Sequence, residues 1–221
     1  MLNFVRRLAK SGRNRYALFL LHGYYASGEN IMGLAEYFSK ISDDLCFIAP
    51  DAPEKIADGG YQWFPLDRDY ITPESVAGVV SKSHGVLCEF LERQREELSL
   101  AYRNIFMLGF SQGAMVALYT GIRLAHRIGG LVSFSGLQPD SPESIRSDAR
   151  TGQKILMLHS PSDSLVPFIC LSYSEKLLRD SGSEVTTHVC RHDVGHSIDY
   201  DCLDVAGDFI AGAIRELERE V

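Results

Sequence analysis

Residues 104–114 read Asn-Ile-Phe-Met-Leu-Gly-Phe-Ser-Gln-Gly-Ala, an apolar run of strand length, the pentapeptide Gly109-Phe110-Ser111-Gln112-Gly113, and then the start of a helix-forming segment. A G-x-S-x-G pentapeptide between a strand and a helix makes a sharp turn that presents the serine hydroxyl at the end of a sheet. The turn needs a sparsely populated backbone conformation at Ser111. Gly109 and Gly113 let the strand and the helix approach without side-chain clashes, and the helix N-terminus favours negative charge beside the serine. Three fixed positions in five occur by chance in unrelated chains, so the flanking strand and helix carry the weight.

A serine hydroxyl is a weak nucleophile at neutral pH and needs a base to take its proton and a carboxylate to orient that base. Behind an elbow of this kind the chain order is Ser, then Asp or Glu, then His. Asp163 stands just past the apolar run 154–159 and ahead of a Pro167-led helical pattern, which makes it the candidate acid; the competing role is a turn or helix cap. Of the seven histidines, His22, His84 and His126 precede that acid and His188 falls inside a strand pattern. The base is therefore sought at His192 or His196, and His196 is preferred because it follows Gly195 and immediately precedes the last helix. The spacing of four between these two also suits metal ligands, but the segment lacks the helical H-E-x-x-H pattern and has Asp193 where a glutamate base would stand. No metal and no cofactor is expected. The oxyanion of a tetrahedral intermediate needs backbone N–H donors, one from the residue after the nucleophile, Gln112, and one from the loop after an early strand, here Tyr24. His22 is expected to play a structural part in that loop.

The elements that position these groups alternate in type. Strand-length apolar runs occur at 16–21, 45–49, 104–108, 130–134, 154–159 and 184–190, most of them apolar on both faces as buried parallel strands are. Helical patterns lie between them at 30–41, 73–98, 112–124, 166–181 and 200–220. Such alternation predicts an α/β fold with a doubly wound, mostly parallel sheet and helices on both faces. Two irregular stretches, 51–72 and 135–152, are placed to overhang the site, and Trp63, Phe64, Leu66 and Tyr70 on the first either line a substrate channel or pin the loop down. At 221 residues the chain is expected to form a single domain over 1–221. Its basic segment 1–15 reads as an edge strand or surface turn in preference to an organelle presequence.

A formal net charge of −7 disfavours nucleic acid and anionic membrane as partners. No run approaches the roughly 20 apolar residues of a membrane span, and no integral membrane association is expected. Five cysteines, an odd number without a CxxC pair and several inside apolar runs, are expected to be reduced and to place the protein in the cytoplasm.

Taken in order along nearly the whole chain, Leu21-His-Gly23, Ser27-Gly28-Glu29, Pro50-Asp-Ala-Pro53, Gln62-Trp63-Phe64, Gly109-Phe-Ser-Gln-Gly113, Ser162-Asp-Ser-Leu-Val-Pro167 and Gly195-His196-Ser197 resemble the phospholipase/carboxylesterase family that includes acyl-protein thioesterases. The resemblance implies an α/β-hydrolase fold without a large cap domain and a metal-free triad of Ser111, Asp163 and His196. It further implies an oxyanion hole from the amides of Tyr24 and Gln112. The implied substrates are small-molecule carboxylic esters, thioesters or lipids such as lysophospholipids, or a lipidated protein. Two departures stand out: Tyr24-Tyr25-Ala26 replaces the family's Leu-Gly-Asp after His-Gly, and Asp51 replaces a histidine. Exchanging glycine for Tyr25 removes freedom at positive φ and puts two aromatic rings at the acyl entrance, so Tyr25, Trp63 and Phe64 are the substrate-binding candidates. The alternatives are a binding protein that keeps the fold without catalysis, discriminated by failure of a fluorophosphonate to label Ser111, and a peptidase or amidase on the same scaffold, which usually needs an added propeller or cap.

Overall fold

A computed structural model describes residues 2–66, 71–149 and 152–220. In chain order the elements are β1 (Phe4–Arg7), β2 (Tyr16–Leu21), α1 (Gly28–Met32), α2 (Leu34–Phe38), β3 (Leu45–Pro50), β4 (Glu54–Lys55), β5 (Tyr61–Gln62), α3 (Pro73–Glu97), β6 (Ile105–Phe110), α4 (Gln112–Gly121), β7 (Gly130–Phe134), α5 (Pro142–Asp148), β8 (Lys154–His159), α6 (Ile169–Asp180), β9 (Glu184–Val189) and α7 (Tyr200–Arg219). Seven strands form one sheet in the order β1-β3-β2-β6-β7-β8-β9, and β4 with β5 makes a separate hairpin. Within the sheet only β1 runs antiparallel, along the outside of β3.

Successive side chains of a strand point to opposite faces, and β2 uses this to feed two cores. Ala17, Phe19 and Leu21 pack with Val80, Leu87 and Phe90 of α3, Met115 and Val116 of α4 and Leu177 of α6. Tyr16, Leu18 and Leu20 pack on the other side with Ile31 of α1, Phe38 of α2 and Leu203, Ala206 and Ile210 of α7. This is the doubly wound arrangement that the alternating pattern predicts.

Several boundaries move for local reasons. The helical pattern at 30–41 breaks into α1 and α2, because Ser27 caps an earlier start and the Gly33 amide bonds back only three residues to Asn30, a tightened turn. The helix expected from 166 begins at Ile169 because the Val166 amide is taken by Asp163 at 2.9 Å and its carbonyl by His159 at 2.9 Å. The expectation of five reduced cysteines is corrected: Cys190 at the end of β9 and Cys202 in the first turn of α7 form a disulfide, while Cys46, Cys88 and Cys170 are outside any disulfide. The fold brings their Cα atoms to 6.0 Å, a bridgeable distance that a separation of 12 in sequence does not announce. No helix among the described residues is long and apolar enough to cross a membrane.

The segment after β7 is held by charge as well as by the buried side chains of Leu137 and Ile145. Asp140 receives Arg123 through two bonds, at 2.6 and 3.0 Å, with the two side chains 2% and 7% exposed. Ser144 and the Gln138 amide also donate to this carboxylate. Removing one partner of a buried pair leaves an uncompensated charge, which costs about 3–5 kcal/mol. Asp140→Ala is therefore expected to lower the unfolding free energy by that order in urea titrations, and Asp140→Leu combined with Arg123→Met to recover most of it; a double variant as unstable as the single would count against the clamp.

Candidate active site

Every candidate group hangs on the carboxyl end of a parallel strand, the edge at which open α/β sheets bind ligands. Ser111 follows β6, Asp163 follows β8, His196 follows β9 and the loop with Tyr24 follows β2. Ser111 adopts φ 53 and ψ −119 as the residue before α4, a conformation costing of order 1–3 kcal/mol unless its surroundings impose it. They do. A Cβ on Gly109 would stand 2.4 Å from the Gly113 carbonyl carbon and the Ala114 nitrogen, and one on Gly113 would stand 2.1 Å from the Leu21 carbonyl oxygen. Neither position has room for another residue. The turn is pinned from the next strand by the Ser111 amide, which donates to the Phe134 carbonyl at 3.0 Å.

The structure brings Ser111, His196 and Asp163 into one chain of hydrogen bonds. His196 Nε2 lies 2.9 Å from Ser111 Oγ, and His196 Nδ1 lies 2.8 Å from Asp163 Oδ2. A carboxylate can only accept, so Nδ1 carries the proton and Nε2 offers its lone pair to the hydroxyl. Asp163 Oδ1 accepts from the amides of Leu165 and Val166 at 3.0 and 2.9 Å. Burial pushes the Asp163 carboxyl up, but hydrogen bonds from His159, His196 and the Val166 amide outweigh it and hold the group well below the usual carboxylate range. The acid and base loops are also tied directly, by the Gly195 amide donating to Ser162 Oγ at 3.1 Å.

The other histidines divide between the same loops. His192 turns outward and donates Nδ1 to the Asp199 carboxylate at 2.8 Å, so His192 and His196 serve different acids. His22 is buried with Nε2 accepting from the Ala52 amide at 2.9 Å and Nδ1 donating to the Gly23 carbonyl at 2.7 Å. Burial pushes its pKa down, and the neutral ring joins the loop carrying Tyr24 to Ala52. His159, which precedes the acid in sequence and so escapes a search for the base, is buried with Nε2 2.9 Å from the Val166 carbonyl and 3.4 Å from Asp163 Oδ2. Its legible signal was its place at the end of β8, four residues before the acid.

Around Ser111 lies a cavity of about 310 Å³ lined by Tyr24, Leu66, Ile71, Phe110 and Leu165 together with Ser111, Gln112 and His196. The wall is apolar, and Gly23 sits so close that a Cβ there would meet the Phe110 ring at 3.0 Å and Ser111 Cβ at 3.4 Å. Tyr24 therefore enters the cavity directly beside Ser111. Gln112 opens α4, where the first amides of a helix have no intrahelical acceptor and point outward from its end.

Tyr25, Trp63 and Phe64, the substrate-binding candidates of the sequence, are not among the residues that line the cavity. Trp63 and Phe64 are 1% exposed, because their backbone is fastened to the elbow and their rings fill the core on the α3 face. Tyr25 takes φ 63, the conformation a glycine would supply more cheaply, and turns its ring outward with its hydroxyl donating to the Asp58 carbonyl at 3.0 Å. Its amide donates to the Tyr61 carbonyl at 3.0 Å. Tyr70 lies outside the described residues. Phe110, Ile71 and Leu165 went unnoticed as wall residues because an apolar side chain beside a turn reads the same whether it faces a core or a cavity.

Comparison with known proteins places this geometry. A family model described as Phospholipase/Carboxylesterase matches residues 6–214. The chain is similar to an acyl-protein thioesterase 1 of Eremothecium gossypii, 30% identical over 93% of this chain and 91% of that one. It is also similar to an acyl-protein thioesterase 1 of Debaryomyces hansenii, 27% identical over 96% and 97% of the two chains. Among solved structures it resembles esterase PE8, with a TM-score of 0.89, 32% identity and coverage of 97% and 98%. The carboxylesterase of Bacillus cereus shares the fold, with a TM-score of 0.78 at 19% identity over 96% and 95%.

The depressed Asp163 carboxyl has a consequence for pH. A group whose folded pKa lies below its unfolded value of about 3.9 contributes stability that is fully present above that value and is lost progressively as pH falls from there toward the folded pKa. Asp163→Asn removes this contribution. Urea unfolding of the wild type at about pH 6 and about pH 3 is expected to show a larger acid loss than in Asp163→Asn, the variant being less stable at the higher pH; parallel losses would contradict the assignment.

Proposed function

The chain belongs to the phospholipase/carboxylesterase family, and from that premise we propose that Ser111 is its nucleophile, His196 the general base and acid, and Asp163 the group that orients His196. The protein is a carboxylic ester hydrolase acting on esters or thioesters. The observation that carries the residue assignment is the unbroken relay from Ser111 Oγ through His196 to Asp163, at 2.9 and 2.8 Å.

In the proposed cycle His196 Nε2 takes the hydroxyl proton as Ser111 Oγ attacks the substrate carbonyl, and the Asp163 carboxylate stabilises the imidazolium that forms. The oxyanion is received by the amides of Gln112 and Tyr24, and a donor of this kind is worth about 10²–10³ in rate. His196 then protonates the leaving alcohol or thiol, and water, deprotonated by the same ring, releases the acyl group from Ser111. No cofactor enters any step. The apolar lining by Leu66, Ile71, Phe110 and Leu165 supports an acyl group of small to medium length. Leu165, Phe168 and Ile169 continue the apolar surface outward, at 54, 37 and 72% exposure, which supports lipid esters or the acyl group of a lipidated protein as substrate.

Replacing Ser111 by Ala is expected to lower kcat for p-nitrophenyl esters by about 10³-fold or more, and a fluorophosphonate is expected to label Ser111 alone. Turnover retained by Ser111→Ala would sink the assignment. A series of p-nitrophenyl and acyl-CoA substrates of increasing length should peak at medium chains.

The proposed compartment is the cytoplasm, supported by Cys46, Cys88 and Cys170, which form no disulfide. The Cys190–Cys202 disulfide weighs against it, since disulfides persist in oxidising compartments. Fractionating its native cells tests this: recovery with the cytosolic proteins is expected, and recovery outside the cytosol overturns it.

A further inference from the structure

Gln112 serves the site twice. Its amide opens α4 beside Ser111, while its side chain, with no exposed surface, reaches away from the cavity to the segment that follows β5. There Oε1 accepts from the Trp63 amide at 3.0 Å and Nε2 donates to the Phe64 carbonyl at 2.8 Å. A side-chain amide offers one acceptor and paired donors, so it matches the N–H and C=O that an extended segment leaves unpaired. Burying it without those partners would cost about 1–3 kcal/mol. Two further bonds hold the same segment: the Trp63 indole donates to the His22 carbonyl at 2.9 Å, and Ser83 of α3 donates to the Trp63 carbonyl. Two residues beyond Phe64, Leu66 becomes a wall of the cavity.

We infer that the Gln112 side chain is a specificity-determining positioning residue: it fixes the cavity wall at Leu66 relative to the nucleophile, and so sets the preference for longer over shorter acyl chains. The inference rests on the reading of Ser111 as nucleophile and of the cavity as the acyl site. A chain that packs against Leu66 gains binding only while that wall is held in place, whereas an acetyl group has almost no surface to offer it.

The test uses Gln112→Glu and Gln112→Met in the full chain, with kcat/KM for p-nitrophenyl octanoate and p-nitrophenyl acetate measured from about pH 5 to about pH 9. The octanoate-to-acetate ratio cancels the protonation of His196 common to both esters. The wild-type ratio is expected to be flat with pH. In Gln112→Glu the ionised carboxylate sets an oxygen against the Phe64 carbonyl, and the ratio should fall roughly 10-fold at the alkaline end, chiefly through KM. As pH falls the introduced carboxyl protonates, regains a donor, and the ratio should climb toward the wild-type value; Gln112→Met should stay low throughout. A role that is only a matter of volume would not produce that recovery. Ratios within about 2-fold of wild type in both variants, or equal losses for the two esters at every pH, overturn the inference.

Where thermal melts show that these variants do not fold, Ser83→Ala removes a bond to the same segment from outside the site. It is expected to lower the ratio about 3-fold, and an unchanged ratio overturns the inference as well. Failure of the underlying reading looks different: wild-type protein would hydrolyse neither ester and would not take a fluorophosphonate at Ser111.

Discussion

Ser111 can hold φ 53 because two backbones meet with nothing between them. The Gly113 α-carbon approaches the carbonyl of Leu21 so closely that an added methyl group would overlap it at 2.1 Å. That approach joins the end of β2 to the first turn of α4, and therefore joins the loop carrying Tyr24 to the turn carrying Ser111. The strain at the serine is offset by the packing of β2 and β6, which are paired in parallel from Ala17 with Ile105 to Leu21 with Gly109. Loosening the contact would free the backbone of Ser111 and the loop carrying Tyr24 together.

A second layer of polar bonds converts this meeting point into a site. His22 takes the Ala52 amide, Tyr25 and Ala26 exchange bonds with Tyr61, and the Trp63 indole reaches the His22 carbonyl. The hairpin of β4 and β5 thus lies along the loop carrying Tyr24 as a splint. It explains how a tyrosine can occupy a left-handed position at Tyr25, where a glycine would meet less steric resistance: the surrounding backbone is fixed by partners on both sides. On the opposite flank His159, the Val166 carbonyl and the two amides received by Asp163 do the same for the acid.

Much of this was legible in the sequence where one physical rule dominates. Buried parallel strands require apolar runs of about six residues, and the runs at 16–21, 130–134 and 154–159 match their strands at both ends. The elbow was legible because few other patterns tolerate two glycines around a serine between a strand and a helix. The order of acid and base along the chain narrowed the choice to Asp163 with His192 or His196, and Gly195 before the last helix favoured His196, which the fold brings within bonding distance of Asp163. What escaped was whatever depends on a tertiary partner. Nothing local distinguishes Phe110 as a wall residue from Phe106 as a core residue, nor reveals that the tryptophan at 63 would be drawn inward by Gln112. The pairing of Cys190 with Cys202 likewise depends on where α7 begins relative to β9, which composition does not encode.

The sheet ends on one side at β1, whose Arg6 and Arg7 pair with Glu97 and Glu36, and on the other at β9, whose Glu184 pairs with Arg127 and whose His188 faces Asp201. An outermost strand with free backbone groups is a template on which another chain can build, and charged side chains along it discourage that growth. Both margins of this sheet carry such charges. High salt screens these charges, and it is the condition under which copies of the folded protein lose their protection against edge-to-edge aggregation; acid leaves Arg6 and Arg7 charged along β1.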